Sequence, residues 1–245
     1  MFISKKNILK KWKVKFTLFI ILMQFLFLLK SYAAEDDFQK NMPQGEIYEK
    51  LNQKIDLSLT FTNQEGKKET LKDLFKNQKV LILTLNYYKC TTMCTFQFVN
   101  LASALKKLDW PIGNGFSIAT ISFDSSDTPA FAKEKHKLWT TQTGQNNAKW
   151  DFFVGDNKNI KSLVKDLNFY YELDKSTGEY SHGAALFFIK PDGTFYRYLY
   201  GIVYEPQDIK HALIETSNGE LGSFLDRFLT KFKKYQSQIG KYALN

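Results

Sequence analysis

Apolar positions fall into two patterns along the chain. Val80 to Tyr88, VLILTLNYY, is a nearly unbroken apolar run, fit for a strand buried on both faces. Gly115 to Phe123, GFSIATISF, repeats that pattern, and Trp150 to Gly155, WDFFVG, gives a short third strand. Ahead of them, IDLSLTFTNQEGKKETL alternates through Ile55, Leu57, Leu59 and Phe61 and turns at Gln64-Glu65-Gly66, which predicts an N-terminal hairpin. Gly183 to Gly201 reads as a second hairpin, turning at Pro191-Asp192-Gly193.

Helical spacing separates these strands. Phe96, Phe98, Val99, Leu101, Leu105 and Leu108 recur at three- and four-residue steps. Pro129 to Trp139 predicts a helix with proline in its first turn. Asn157 to Leu167 is apolar at Ile160, Leu163, Val164 and Leu167, and EPQDIKHALIETSNG gives a last helix stopped at Gly219. Strands and helices in this order predict an α/β sandwich with a mixed central sheet flanked by helices. A further amphipathic stretch, Leu221 to Tyr235, reads as a helix packed on the domain, with a membrane-surface or partner helix as the alternative.

The ends change the reading of charge. Seven lysines between Lys5 and Lys30 precede the first acid, Glu35, so most of the formal +9 belongs to the N-terminus. That placement gives no basic surface for nucleic acid. Lysines to Lys15, an apolar run from Phe16 to Leu29, and Ser31-Tyr32-Ala33 have the layout of a secretory signal peptide cut after Ala33. An uncleaved membrane anchor is the alternative. The expected organisation is therefore a signal peptide or anchor at 1–33, a linker at 34–52, one domain at 53–219 and a helical tail at 220–245. Export in a bacterium places the mature chain in the periplasm or on the outer face of the inner membrane, rather than in a mitochondrial intermembrane space. Nothing in the sequence calls for an oligomer, and a monomer is expected.

Export also bears on the two cysteines, Cys90 and Cys94, in YYKCTTMCTF. They sit where the first buried strand passes into a helix, and a helix N-terminus lowers thiol pKa values. Lys89 is expected to act in the same direction. The spacing fits a disulfide staple, a redox pair, or two legs of a metal site. Soft thiolates favour Cu(I), and imidazole serves both copper oxidation states. Of three histidines, His136 and His211 fall inside helical patterns. His182 ends a polar loop, DKSTGEYSH, just before a buried strand.

Four segments in order, LNYYKCTTMCT, ATISFDSSDTPAFAKEKHKLW, WDFFVGD and YSHGAALFFIKPDGTFYRYLYG, resemble the SCO/SenC family. The resemblance covers roughly Glu46 to Gly219. It implies a thioredoxin-like fold and a single copper ion, Cu(I) or Cu(II), held by Cys90, Cys94 and His182. It also implies a role in assembling the binuclear copper centre of cytochrome c oxidase, with that copper-centre subunit or another periplasmic copper protein as partner. Relatives are described as copper donors or as thiol reductants of the target, so Cys90 and Cys94 are also the candidate catalytic pair of a thiol–disulfide oxidoreductase. Asp124 and Asp127 match the family's acidic loop; capping of the helix at Pro129 is their simpler expected role. Thr91 stands where many relatives have proline after the first cysteine. No proline occurs between Pro129 and Pro191, so the loop before the late strand lacks the proline of thioredoxin-type exchangers. That tilts the expectation towards a metal carrier.

Overall fold

The computed structural model describes residues 47–218, apart from 49 and 146, together with residues 23 and 24. The expected signal peptide or anchor, apart from residues 23 and 24, most of the expected linker and the expected C-terminal tail lie outside the described residues. No helix among the described residues is long and apolar enough to cross a membrane.

The elements follow in the order β1 (Thr60–Asn63), β2 (Lys68–Thr70), β3 (Val80–Asn86), α1 (Met93–Lys107), β4 (Phe116–Ser122), α2 (Pro129–Gln142), β5 (Trp150–Val154), α3 (Asn157–Asp166), β6 (Tyr171–Leu173), β7 (Tyr180–His182), β8 (Ala185–Ile189), β9 (Phe195–Tyr200) and α4 (Pro206–Thr216). Seven strands form one sheet in the order β2-β1-β5-β4-β3-β8-β9. β3, β4 and β5 are parallel, whereas β8 runs antiparallel to β3. This mixed sheet is the expected one, with the N-terminal hairpin β1–β2 at one edge.

Central position explains the continuous apolar runs: every residue of β3, β4 and β8 is buried. Two of the polar groups inside pair with each other. Thr84 and Thr120 hydrogen-bond across the β3–β4 pair at 2.9 Å, and the Trp150 indole N–H donates to the Thr120 hydroxyl. The β8–β9 turn needs Gly193, whose φ is 84° and whose absent Cβ would come within 3.0 Å of the Ile55 carbonyl.

Three expectations shift. β1 begins at Thr60, not at Ile55; Ile55 and Leu59 are buried by packing rather than by a ladder. Part of the expected linker is tied down, since Ile47 bridges Phe169 and the Asn52 amide donates to the Phe195 carbonyl. The segment around DKSTGE is the turn of a small separate hairpin, β6–β7, in which Tyr171 faces His182.

Candidate metal centre

β3 ends at Asn86, and the next residues carry the chain to the start of α1. The Cys90 amide closes a tight turn onto the Tyr87 carbonyl. α1 begins at Met93, so Cys94 lies within its first turn and Cys90 just ahead of it. The Cys94 amide, one of the free donors at that helix start, points at Cys90 Sγ at 3.4 Å. Both cysteines are free thiols and both are buried.

His182 ends β7 and is 7% exposed. Its Nε2 lies 3.4 Å from Cys94 Sγ, across 88 residues of chain. On the other side of the ring, Nδ1 is 2.8 Å from the Gly183 carbonyl. A carbonyl only accepts, so Nδ1 carries a proton that it donates, and Nε2 is turned towards sulfur. Such a backbone contact is the usual means of fixing the orientation and tautomer of a ligating imidazole. The rings of Tyr87, Phe123 and Phe169 surround the imidazole at centroid distances of 5.0–5.9 Å. The structure thus brings together Cys90, Cys94 and His182. It does not bring in His136, which lies on α2 against Phe152, or His211, which lies on α4.

The two thiols are not equivalent. Cys90 is lowered to about 3, first by the hydrogen bond from the Cys94 thiol, with the amides of the helix start adding to it against the cost of burial. Cys94 is pushed up, because it supplies its proton to Cys90 and is buried. The Lys89 ammonium bonds the Ser126 hydroxyl at 2.8 Å and lies over the Phe131 ring. Burial also raises the Tyr87 hydroxyl, which hydrogen-bonds Cys90.

Two buried groups support the site from behind. Asn86 donates to Gln97 at 2.8 Å, and Gln97 donates to the Tyr204 hydroxyl, joining β3, α1 and the segment before α4. Asp127 accepts the Tyr88 amide and the Ser122 hydroxyl, each at 2.7 Å. Asp127 therefore does not cap α2, nor does Asp124; Thr128 does, accepting from the Phe131 amide. A threonine adjacent to the proline reaches the free amide, while the aspartates turn back towards the loops. Asn86 and Gln97 were the missed members of the site. The signal for Asn86 was a lone amide ending an otherwise apolar buried run.

Cys94 Sγ touches His182 Nε2, and Cys90 Sγ lies against the Cys94 amide. Among the described residues, no three His, Cys, Asp or Glu side chains are already set around a point where a metal ion would sit. A sulfur and a nitrogen sharing one tetrahedral ion are about 3.5 Å apart, given bonds near 2.3 and 2.0 Å. The 3.4 Å separation of Cys94 and His182 differs little from that. Two thiols and a pre-oriented imidazole in an apolar surround are a fitting donor set for a soft cation.

Residues 48–217 match the family model described as SCO1/SenC. The chain belongs to that family. Comparison with curated proteins finds no match. Among solved structures, a candidate electron transfer protein from Aquifex aeolicus VF5 is 23% identical with a TM-score of 0.61, over 69% of this chain and 95% of that one. Arabidopsis thaliana ScoI, solved with copper bound, is 20% identical with a TM-score of 0.54, over 69% of this chain and 98% of that one. BsSco is 22% identical with a TM-score of 0.54, over 71% of this chain and 97% of that one. Its structure concerns a disulfide switch in a member of the Sco family of cytochrome c oxidase assembly proteins. These likenesses establish the thioredoxin-like fold.

Proposed function

We propose that this protein is a copper carrier that serves assembly of the binuclear copper centre of cytochrome c oxidase, binding one copper ion through Cys90, Cys94 and His182. The observation that carries the reading is the 3.4 Å approach of His182 Nε2 to Cys94 Sγ, with Nδ1 tied to the Gly183 carbonyl. Cys90 supplies a ready thiolate, and Cys94 loses its proton as a cation takes its place. The aromatic surround keeps competing water from the imidazole. Two thiolates and one imidazole leave a coordination position open to a partner's ligand, so the ion passes on by stepwise ligand exchange.

The carrier acts outside the bacterial inner membrane, with the copper-centre subunit of the oxidase as acceptor. The copper held by Arabidopsis ScoI and the oxidase assembly role of the BsSco family support this reading. Metal content and free-thiol count of the protein extracted anaerobically from the cell envelope test it. About one copper per chain, with its loss on chelation exposing two thiols, is the expected result; metal-free protein isolated as a disulfide overturns it.

The asymmetry of the thiols favours a second reading, a thiol–disulfide oxidoreductase that keeps the acceptor's cysteines reduced. Cys90 thiolate would attack a partner disulfide and release one partner thiolate. Cys94, deprotonated in turn, would then displace the second, leaving a Cys90–Cys94 disulfide and a reduced dithiol.

A further inference from the structure

Asn86 ends β3 fully buried, yet its side-chain oxygen has no hydrogen-bond partner among the described residues. A buried acceptor left unpaired costs stability, so the amide is held this way round by its other contacts.

The order of donors and acceptors shows what holds it. The Ala185 carbonyl only accepts, and Gln97 Nε2 lies 3.4 Å from it, so Gln97 turns its NH2 group towards β8. The same nitrogen donates to the Tyr204 hydroxyl at 2.8 Å, whose own proton goes to the Gly201 carbonyl. Both N–H bonds of Gln97 are thereby used, and its oxygen is left to accept. Asn86 Nδ2 donates to that oxygen at 2.8 Å. Asn86 therefore faces α1 with its NH2 group, and one N–H bond remains to be placed.

Cys94 stands three residues before Gln97 on α1, so the two side chains share a face, and both are buried. The remaining Asn86 N–H reaches the Cys94 sulfur. Cys94 in turn donates its own proton in the hydrogen bond to Cys90. An N–H given to a sulfur strengthens the hydrogen bond which that sulfur donates onward.

We propose that Asn86 is a positioning residue for the cysteine pair: its amide holds the Cys94 sulfur towards Cys90 and favours the reduced pair over the disulfide. The reduced pair carries a negative charge spread over two sulfurs, which a donor stabilises, whereas a disulfide is neutral and a poor acceptor. That donor offsets the unpaired Oδ1, and Gln97 with Ala185 is the frame that stops the amide from turning over. The inference deepens the oxidoreductase reading and rests on the pair cycling between dithiol and disulfide.

Equilibration of the full chain with reduced and oxidised dithiothreitol, with free thiols counted, tests it. Closing the Cys90–Cys94 bond releases two electrons and the Cys94 proton. Oxidised dithiothreitol takes them up, with one further proton from solvent, and becomes the dithiol. Asn86→Leu is expected to shift the equilibrium about tenfold towards the protein disulfide, a potential about 30 mV more negative. Gln97→Met, which frees the Asn86 amide to turn over, shifts it in the same direction by a smaller factor. Tyr204→Phe leaves the Ala185 anchor in place and the potential unchanged. Each variant is first matched to the parent by circular dichroism. NMR of the unaltered protein gives a readout free of substitutions: the Asn86 side-chain N–H signals move when the pair is oxidised. An unchanged potential in Asn86→Leu, an equal shift in Tyr204→Phe, or Asn86 signals indifferent to oxidation overturns the proposal. A parent pair that does not cycle at all defeats the oxidoreductase reading and this inference with it.

Discussion

The Asp127 carboxylate accepts the Tyr88 amide at 2.7 Å and thereby ties the segment carrying Cys90 to the loop after β4. The same oxygen accepts the Ser122 hydroxyl, while Oδ1 has no hydrogen-bond partner among the described residues. Asp127→Ala leaves a buried amide without its acceptor, and a loss of about 1–3 kcal/mol in denaturant unfolding is expected.

Burial raises the Asp127 carboxyl above its ordinary value. An acid whose folded pKa is raised binds its proton more tightly in the native state. Its contribution to stability therefore falls as pH rises from the ordinary carboxylate range through the folded pKa. Asp127→Asn keeps an acceptor for Tyr88 and removes the titration. Its stability is expected to decline less than that of the parent across the weakly acidic range, measured by unfolding midpoints at a series of pH values.

Cys90 is lowered to about 3, chiefly by the hydrogen bond from Cys94. Its alkylation rate should therefore be flat between about pH 5 and pH 8, because the thiolate is the reactive form. Cys94→Ala removes the main cause, and the rate for Cys90 should then climb with pH across that window. Mass spectrometry of iodoacetamide-treated protein checks both profiles.

Gly155 follows β5, two strands across the sheet from β3, and is crowded by the core. A Cβ there would stand 2.7 Å from a Phe61 ring carbon and 3.2 Å from Ile160. Gly155→Ala is expected to destabilise the fold by about 1–3 kcal/mol. Thiol reactivity should be unchanged, which separates general stability from effects on the site.

The sequence made the sheet legible wherever burial was uniform. β3, β4 and β8 lie inside and read as unbroken apolar runs, and the Pro191-Asp192-Gly193 turn announced its hairpin. The β6–β7 hairpin stayed hidden because its strands are three residues long, and Ser181 and Glu172 give them little apolar signal. α1 begins at Met93, three residues before the first residue of the predicted periodicity, because the helix start is set by the turn after β3. The ligand candidates were legible as residue types. Their support was not: Asn86, Gln97 and Asp127 act through contacts that cross between elements, and no local spacing encodes them.

The central claim is that Cys90, Cys94 and His182 form one copper site. Titration of the reduced protein with copper against a competing chelator, compared with His182→Ala, tests it most directly. One ion per chain is predicted for the parent, with affinity at least about tenfold lower in the variant. Equal copper affinity in the two proteins would contradict the account.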